Sequence, residues 1–380
     1  MKKVLQVSCG GLGRGGVQNV IMGICRNIDD IQFDILLFTD EERYYDQEFL
    51  ELGGKIFRVP NYNGKSILRK RADYYIRFSR IFLNVYRILK KNGPYLAIHC
   101  HNSFESGICN LAAKLAGVKV RISHSHTAES ATKFNVLRRF YDKILSELLN
   151  KYSNVKIGCS AEANNYLFEK QENSYVINNA IDLEQFNPLK FSEIKKNEIQ
   201  FIHIGQYSSN KNQTFLIDIF DNMQKKISNV KLVLIGFGSE KEFLRSKIKS
   251  LNLETKVEMR NPSSDIPKSL FESDFFIFPS FKEGLGIVLL EAQAMGLKCF
   301  VSSTIPKEAN LGLCTYIDLN LGAEEWASHI LNHIAKRDFN KKILEPESLM
   351  AYDIKNICTK YVEIYTRKEM KNENWNFNIS

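Results

Sequence analysis

The chain has 380 residues, 44% apolar and 25% charged, an ordinary globular composition whose length accommodates two α/β domains more easily than one. Its eight cysteines form no C-x-x-C pair and no zinc spacing, and no segment approaches the roughly 20 apolar residues of a bilayer span. A disulfide scaffold, a zinc module and a membrane-spanning protein are therefore not expected, a reducing cytoplasm is, and the moderate net charge of +9 falls largely in the first half.

MKKVLQVSCGG has two lysines and a short apolar run before its glycines, so it reads as a first strand and not as a secretory signal. A helix from Gln18 to Asn27 follows, then FDILLFT, a long helix from Ser66 to Lys91, LAIHCH, a helix from Gly107 to Leu115, and VRISHSH. Strands alternating with helices predict a parallel sheet covered on both faces. The pattern restarts at IQFIHIGQ and continues through a helix from Asn212 to Lys226, KLVLIGFG, a helix to Ser250, KVEMR, a short helix near Ser269 and DFFIFPS. The fold class is thus α/β with two doubly wound domains, assigned to 1–186 and 187–348, a closing helix over 349–367 and a loose tail over 368–380. NNAIDLEQFNPLKFSEIKKNE, weakly periodic and containing a proline, is the expected connection.

The richest chemistry lies in SFKEGLGIVLLEAQAMG, Ser280 to Gly296, where Glu283 and Glu291 flank a turn containing Gly284 and Gly286. The glycines let backbone approach a ligand, and the apolar run from Ile287 opens a helix. A helix N-terminus offers free N–H groups to phosphate, and carboxylates accept from sugar hydroxyls, so the pairing points to a sugar nucleotide. HIGQYSSNKN places Lys211 just before a helix, against the positive end of its dipole, a position that costs about 0.3 to 1 kcal/mol unless an anion intervenes. A diphosphate is the expected anion. In the first half, Gly11-x-Gly13-x-x-Gly16 matches the dinucleotide fingerprint, and Asp40 occupies a ribose-binding position, which keeps an NAD(P) oxidoreductase open as an alternative.

The Glu283 to Glu291 stretch resembles the E-x7-E signature of the retaining family 4 glycosyltransferases. The resemblance extends over nearly the whole chain: a glycine loop ending in Gly15 and Gly16, the HSH strand end, VINNAIDLEQF at the junction, the Gly205 to Lys211 loop and the Gly236-x-Gly238 turn. It implies the GT-B fold, two Rossmann-like domains facing a cleft, the first binding acceptor and the second nucleotide sugar. It assigns Glu283 to the transferred sugar, Glu291 to the ribose, Lys211 to the leaving diphosphate, and His124 or His126 to the sugar. Gly15, Gly16, Gln206, Gly236, Gly238, Gly284, Leu285, Gly286 and Ile287 join the expected donor site. The family's basic residue after the first glycine is here Gln206, which donates a hydrogen bond but supplies no charge. No metal or cofactor is implied. The expected reaction is metal-independent transfer of a hexose, with a UDP-sugar as donor, to a lipid-linked capsular or exopolysaccharide acceptor; a degenerate sugar-nucleotide-binding protein without turnover is the other alternative.

His99, His101, His124 and His126 cluster at neighbouring strand ends without an acidic companion, so a metal site is not expected of them. From Lys65 to Lys91 nine basic residues, among them Arg80, Arg87, Lys90 and Lys91, interleave with aromatic and aliphatic ones against the single acid Asp73. Such a helix suggests docking on an anionic membrane surface at the inner face of the cell membrane. Nucleic-acid binding is not expected, for want of a recognisable module.

Overall fold

The computed structural model describes residues 2–60, 67–126, 136–168, 174–192, 196–262, 265–335 and 341–367, with backbone alone over 67–77, 136–140 and at 346. The chain divides into two units, Met1–Ala180 together with Ile354–Ser380, and Ile181–Asp353. The break at Ala180 falls inside NNAID, and the closing stretch of the chain belongs with the first unit.

The first unit is built on seven parallel strands: β1 (Lys2–Ser8), β2 (Ile31–Leu37), β3 (Ile56–Arg58), β4 (Ala97–Cys100), β5 (Val120–Ser125), β6 (Val155–Gly158) and β7 (Ser174–Val176), ordered β3-β2-β1-β4-β5-β6-β7. The second has six: β8 (Ile199–Ile204), β9 (Val230–Ile235), β10 (Val257–Arg260), β11 (Phe275–Phe278), β12 (Lys298–Ser302) and β13 (Cys314–Ile317), ordered β10-β9-β8-β11-β12-β13 and likewise parallel. Interior strands such as FFIF of β11 are buried along their whole length, because crossover helices cover both faces of a parallel sheet. Strand order reverses between β1 and β4 in the first sheet and between β8 and β11 in the second. Chain connections diverge at such switch points and leave a crevice beyond the carboxyl ends, where α/β proteins bind ligands.

The helix Ile354–Thr366 packs on the first unit because Ile354, Ile357, Cys358, Tyr361 and Tyr365 lie at helical spacing and are buried together. Gly23, on the helix Gly16–Arg26, gives it room: a Cβ there would lie 3.2 Å from Ile354 Cδ1. In the helix Ile67–Asn92, the stripe Ile81, Val85, Leu89 is buried in the core of the first unit, while Arg80, Arg87, Lys90 and Lys91 are exposed. Those apolar groups are thus engaged with the sheet and not free for a membrane. Lys65, and the side chains of Arg69, Lys70, Arg71 and Arg77, lie outside the described residues, as does the 368–380 tail. No helix among the described residues is long and apolar enough to cross a membrane.

Candidate active site

In the second unit two loops meet at the switch point, one after β8 and one after β11. Asn210 and Asn212 stitch them together: Asn210 Nδ2 donates to Lys282 O at 2.8 Å, Asn212 Nδ2 to Pro279 O at 3.2 Å, and Phe281 N to Asn210 O at 2.9 Å. From below, Ser302 Oγ and Thr304 Oγ1 donate to Ser280 O at 2.6 and 3.1 Å. Asn212 adopts φ 56°, a left-handed conformation that asparagine tolerates, and this turns the chain from the short 3-10 segment Ser209–Lys211 into the helix Gln213–Lys226.

The stitching brings Lys211 Nζ to 2.6 Å from Glu283 Oε1, with side-chain exposures of 20% and 10%. The cation also stands 5.2 Å from the centre of the Phe278 ring. Lys211 therefore has a counter-ion within the protein: Glu283 occupies the place that the sequence assigned to a diphosphate. A phosphate bound at Lys211 would have to share or displace that carboxylate.

Beneath them, His203 ties the strands of the switch point together. Its Nδ1 donates to Ile277 O at 2.9 Å, so its Nε2 accepts from Gln213 Nε2 at 3.2 Å, and burial pushes its pKa down to about 4. Gln213 Nε2 also donates to Gln206 O at 2.9 Å, while its buried Oε1 has no partner among the described residues. Neither residue stands out in sequence, because a histidine inside an apolar strand and a glutamine after an asparagine are unremarkable until the fold closes on them. The Gln206 side chain is exposed.

Gly286 has φ 81°, and a Cβ there would meet Phe278 Cε1 at 3.3 Å, so glycine is needed to start the helix Ile287–Ala294 at this angle. That helix begins without a side-chain cap or an acidic residue in its first turn. Leu285 is buried and Ile287 packs beside it in the core, leaving backbone as what this part of the turn can present to a ligand. Glu291 lies on the same helix, half-buried by area and without a hydrogen-bond partner among the described residues; desolvation pushes its carboxyl up to about 7. Gly236 and Gly238 serve packing: a Cβ at either would run into Gly205 O or Tyr207 O at about the length of a bond and a half, 2.0 and 2.2 Å.

The first unit gathers polar groups at its own switch point. Gln6 on β1 is in register with His99 on β4, and His101, His124 and His126 lie at the neighbouring strand ends. All four rings are pushed below the ordinary histidine range by burial, His99 and His126 to about 3. Ring nitrogens of His99, His101 and His124 lie within 4.8 Å of one another. In the glycine loop, a Cβ at Gly11 would meet Arg43 and Thr39 and one at Gly15 the end of Gln18, whereas Gly13 and Gly16 face open space. None of the five glycines has positive φ, so Gly11 and Gly15 answer to space and not to backbone conformation, and neither space nor φ requires glycine at 13 or 16.

Two doubly wound units, each with polar side chains collected at its switch point, give the two-domain α/β fold of GT-B glycosyltransferase structures such as WaaG, to which this chain is similar at a TM-score of 0.68 and 14% identity. The family model described as Glycosyltransferase Family 4 matches residues 14–185, and that described as Glycosyl transferases group 1 matches residues 185–309. The chain is 31% identical over 393 residues to EpsF of Bacillus subtilis (strain 168), marked by its name as a glycosyltransferase, with 98% of each chain covered. It is 28% identical over 309 residues to the UDP-Gal:alpha-D-GlcNAc-diphosphoundecaprenol alpha-1,3-galactosyltransferase of Escherichia coli, covering 76% of each. In fold it is similar to Anabaena HepE, solved in complex with UDP and glucose, at a TM-score of 0.74 and 17% identity, over 96% of this chain and 99% of that one. The chain belongs to glycosyltransferase family 4 and is a glycosyltransferase. That membership sets aside the dehydrogenase allowed by Gly11, Gly13, Gly16 and Asp40.

Proposed function

We propose that this enzyme transfers a hexose from a UDP-sugar to a lipid-linked saccharide during assembly of a bacterial surface polysaccharide, with retention of configuration. The observation that carries the reading is the Lys211–Glu283 pair, pinned by Asn210 and Asn212 at the switch point of the second unit. The E. coli relative acts, by its name, with UDP-Gal on a diphosphoundecaprenol-linked sugar, and HepE holds UDP and glucose. On this reading Lys211 and the N–H groups opening the helix Ile287–Ala294 stabilise charge on the departing diphosphate. Gln206 adds hydrogen bonding, Glu283 accepts from the transferred sugar's hydroxyls, Glu291 holds the ribose, and one of His124 and His126 is the histidine assigned to the sugar.

A thermal-shift series with UDP, GDP, ADP and CMP tests the donor, since a ligand at a hundred times its Kd stabilises the native state by about 2.7 kcal/mol. UDP should shift the protein and Glu291→Ala should lose most of that shift; a shift with GDP alone would overturn the donor assignment. Because burial holds the Glu291 carboxyl near 7, UDP affinity should also weaken as pH falls below 7, where the group takes up its proton. With Lys211 as the cation for the leaving group, transfer should persist in a chelator; abolition by chelation would contradict the metal-independent reading.

Membrane docking rests on the exposed Arg80, Arg87, Lys90 and Lys91. Each basic residue near an anionic surface contributes about 1 kcal/mol. Replacing the four by Ser should release the protein from phosphatidylserine vesicles in a flotation assay, and unchanged flotation would remove the helix from the membrane contact.

A further inference from the structure

Gln6 is the meeting point of two hydrogen-bonded arms. Along one, Gln6 Nε2 donates to Tyr365 Oη at 3.4 Å, Tyr365 Oη lies 2.7 Å from His99 Nδ1, and His99 Nε2 lies 3.2 Å from His124 Nδ1. Along the other, Gln6 Oε1 lies 2.9 Å from His101 Nε2, and His101 Nδ1 lies 2.7 Å from His126 Nε2. The arms end at His124 Nε2 and His126 Nδ1, two buried nitrogens with no partner among the described residues, on rings whose centres are 4.0 Å apart.

A neutral imidazole has one N–H and one lone pair, so whichever role one nitrogen takes, the other takes the opposite. Starting from Gln6 Oε1 as acceptor, His101 carries its proton on Nε2, His126 donates from Nε2, and His126 Nδ1 ends as an acceptor. Starting from Gln6 Nε2 as donor, Tyr365 donates to His99, His99 donates from Nε2 to His124, and His124 Nε2 ends as a donor. All four rings then share the Nε2–H tautomer. Turning the Gln6 amide by 180° reverses every bond, makes all four rings Nδ1–H and exchanges the two ends. In neither arrangement do the ends match.

We propose that His124 and His126 form a two-point clamp, one donor and one acceptor, for a hydroxyl-bearing ligand, with its polarity set by Gln6 through Tyr365, His99 and His101 as positioning residues. Naming that ligand as the donor sugar rests on the transferase reading above; the polarity of the clamp does not. A hydroxyl both donates and accepts, so it matches such a pair where a phosphate, which only accepts, does not. Burial supports the neutral rings the relay needs. The same bonds speak against using the nitrogens within 4.8 Å of one another as a metal cage, because an ion would have to break the imidazole–imidazole contacts.

The test is long-range 15N–1H correlation spectroscopy of the full chain labelled at histidine, at pH 7.5. The four rings, assigned by single substitutions, should be neutral and share one tautomer. An ionised Glu at position 6 can only accept, so Gln6→Glu, at a pH where that carboxyl is ionised, should split the set: His101 and His126 as Nε2–H, His99 and His124 as Nδ1–H. Tyr365→Phe, which opens one arm, should mix the tautomers of His99 and His124 and leave His101 and His126 uniform. Tautomers that differ between arms in the unsubstituted protein, a protonated ring, an unsplit Gln6→Glu spectrum, or stoichiometric Zn2+ binding would each overturn the relay. Adding UDP-glucose should move the His124 and His126 nitrogens; if UDP binds elsewhere but those resonances stay still, the sugar assignment falls and the relay stands.

Discussion

Glu283→Gln should bind UDP as the unsubstituted enzyme does and transfer sugar at least a hundredfold more slowly. Glutamine keeps an oxygen that can accept from Lys211, so the two loops should stay joined and the nucleotide should find its site unchanged. What it removes is the negative charge beside Lys211, which the proposed reading places next to the sugar. A preorganised charge at a reacting centre is worth roughly 10²–10³ in rate, because it needs no reorganisation when charge develops. Calorimetric UDP binding together with product detection by mass spectrometry separates the two effects. Undiminished transfer would remove Glu283 from the site, and loss of UDP binding with transfer would show that its role is to shape the loop. Lys211→Met is the complementary change: if Lys211 holds the diphosphate before and after departure, as proposed, it should lower both UDP affinity and rate.

Acid should dismantle the first unit well before it protonates most carboxylates. The ordinary histidine pKa is about 6.5, and the folded state holds His99 and His126 near 3, with His101 and His124 also well below the ordinary range, all chiefly through burial. Below 6.5 the unfolded chain takes up protons that the folded chain refuses, so stability falls as pH drops from 6.5 toward 3. Each ring contributes about 1.4 kcal/mol per pH unit at most, so four together cost on the order of several kcal/mol by pH 5, against a typical total of 5–15. Hydrogen exchange should show the amides of β5 losing protection between pH 6.5 and 5 much faster than those of β12, since the second unit buries one such ring, His203. Equal loss in both units would contradict the burial of these four imidazoles as neutral groups.

Sequence periodicity revealed strands that carry a mostly apolar, buried run, among them β1, β2, β8, β9 and β11, because a parallel sheet buries both faces. It missed β3, β6, β7, β12 and β13, all of five residues or fewer: IFR of β3 is half-buried at an edge, KCFVS of β12 begins and ends polar, and VKIG of β6 is buried but too short to show a period. The candidate catalytic groups were legible for a different reason. Glu283, Gly286 and Lys211 sit in loops, where a charge or a glycine has no packing role to disguise it. Their supports were not legible: Asn210 and Asn212 look like loop asparagines, and nothing in NKN says that they reach the backbone of residues 279–282 across some 70 positions. Gly236 and Gly238 were legible as a turn, but they open space for the neighbouring loop's backbone, a role that only tertiary structure reveals.

The division of the chain also has a bearing on how the protein is made. The partner of His99 in the relay, Tyr365, lies 266 positions further along the sequence, and the whole of the second unit is synthesised between them. On the ribosome the first unit emerges early but cannot close over its histidines until the last helix follows. The second unit, whose two ends are joined where Ile181 N donates to Tyr352 O at 2.8 Å, can complete itself first. A released chain ending before Ile354 would therefore carry a finished second unit beside an unfinished first one.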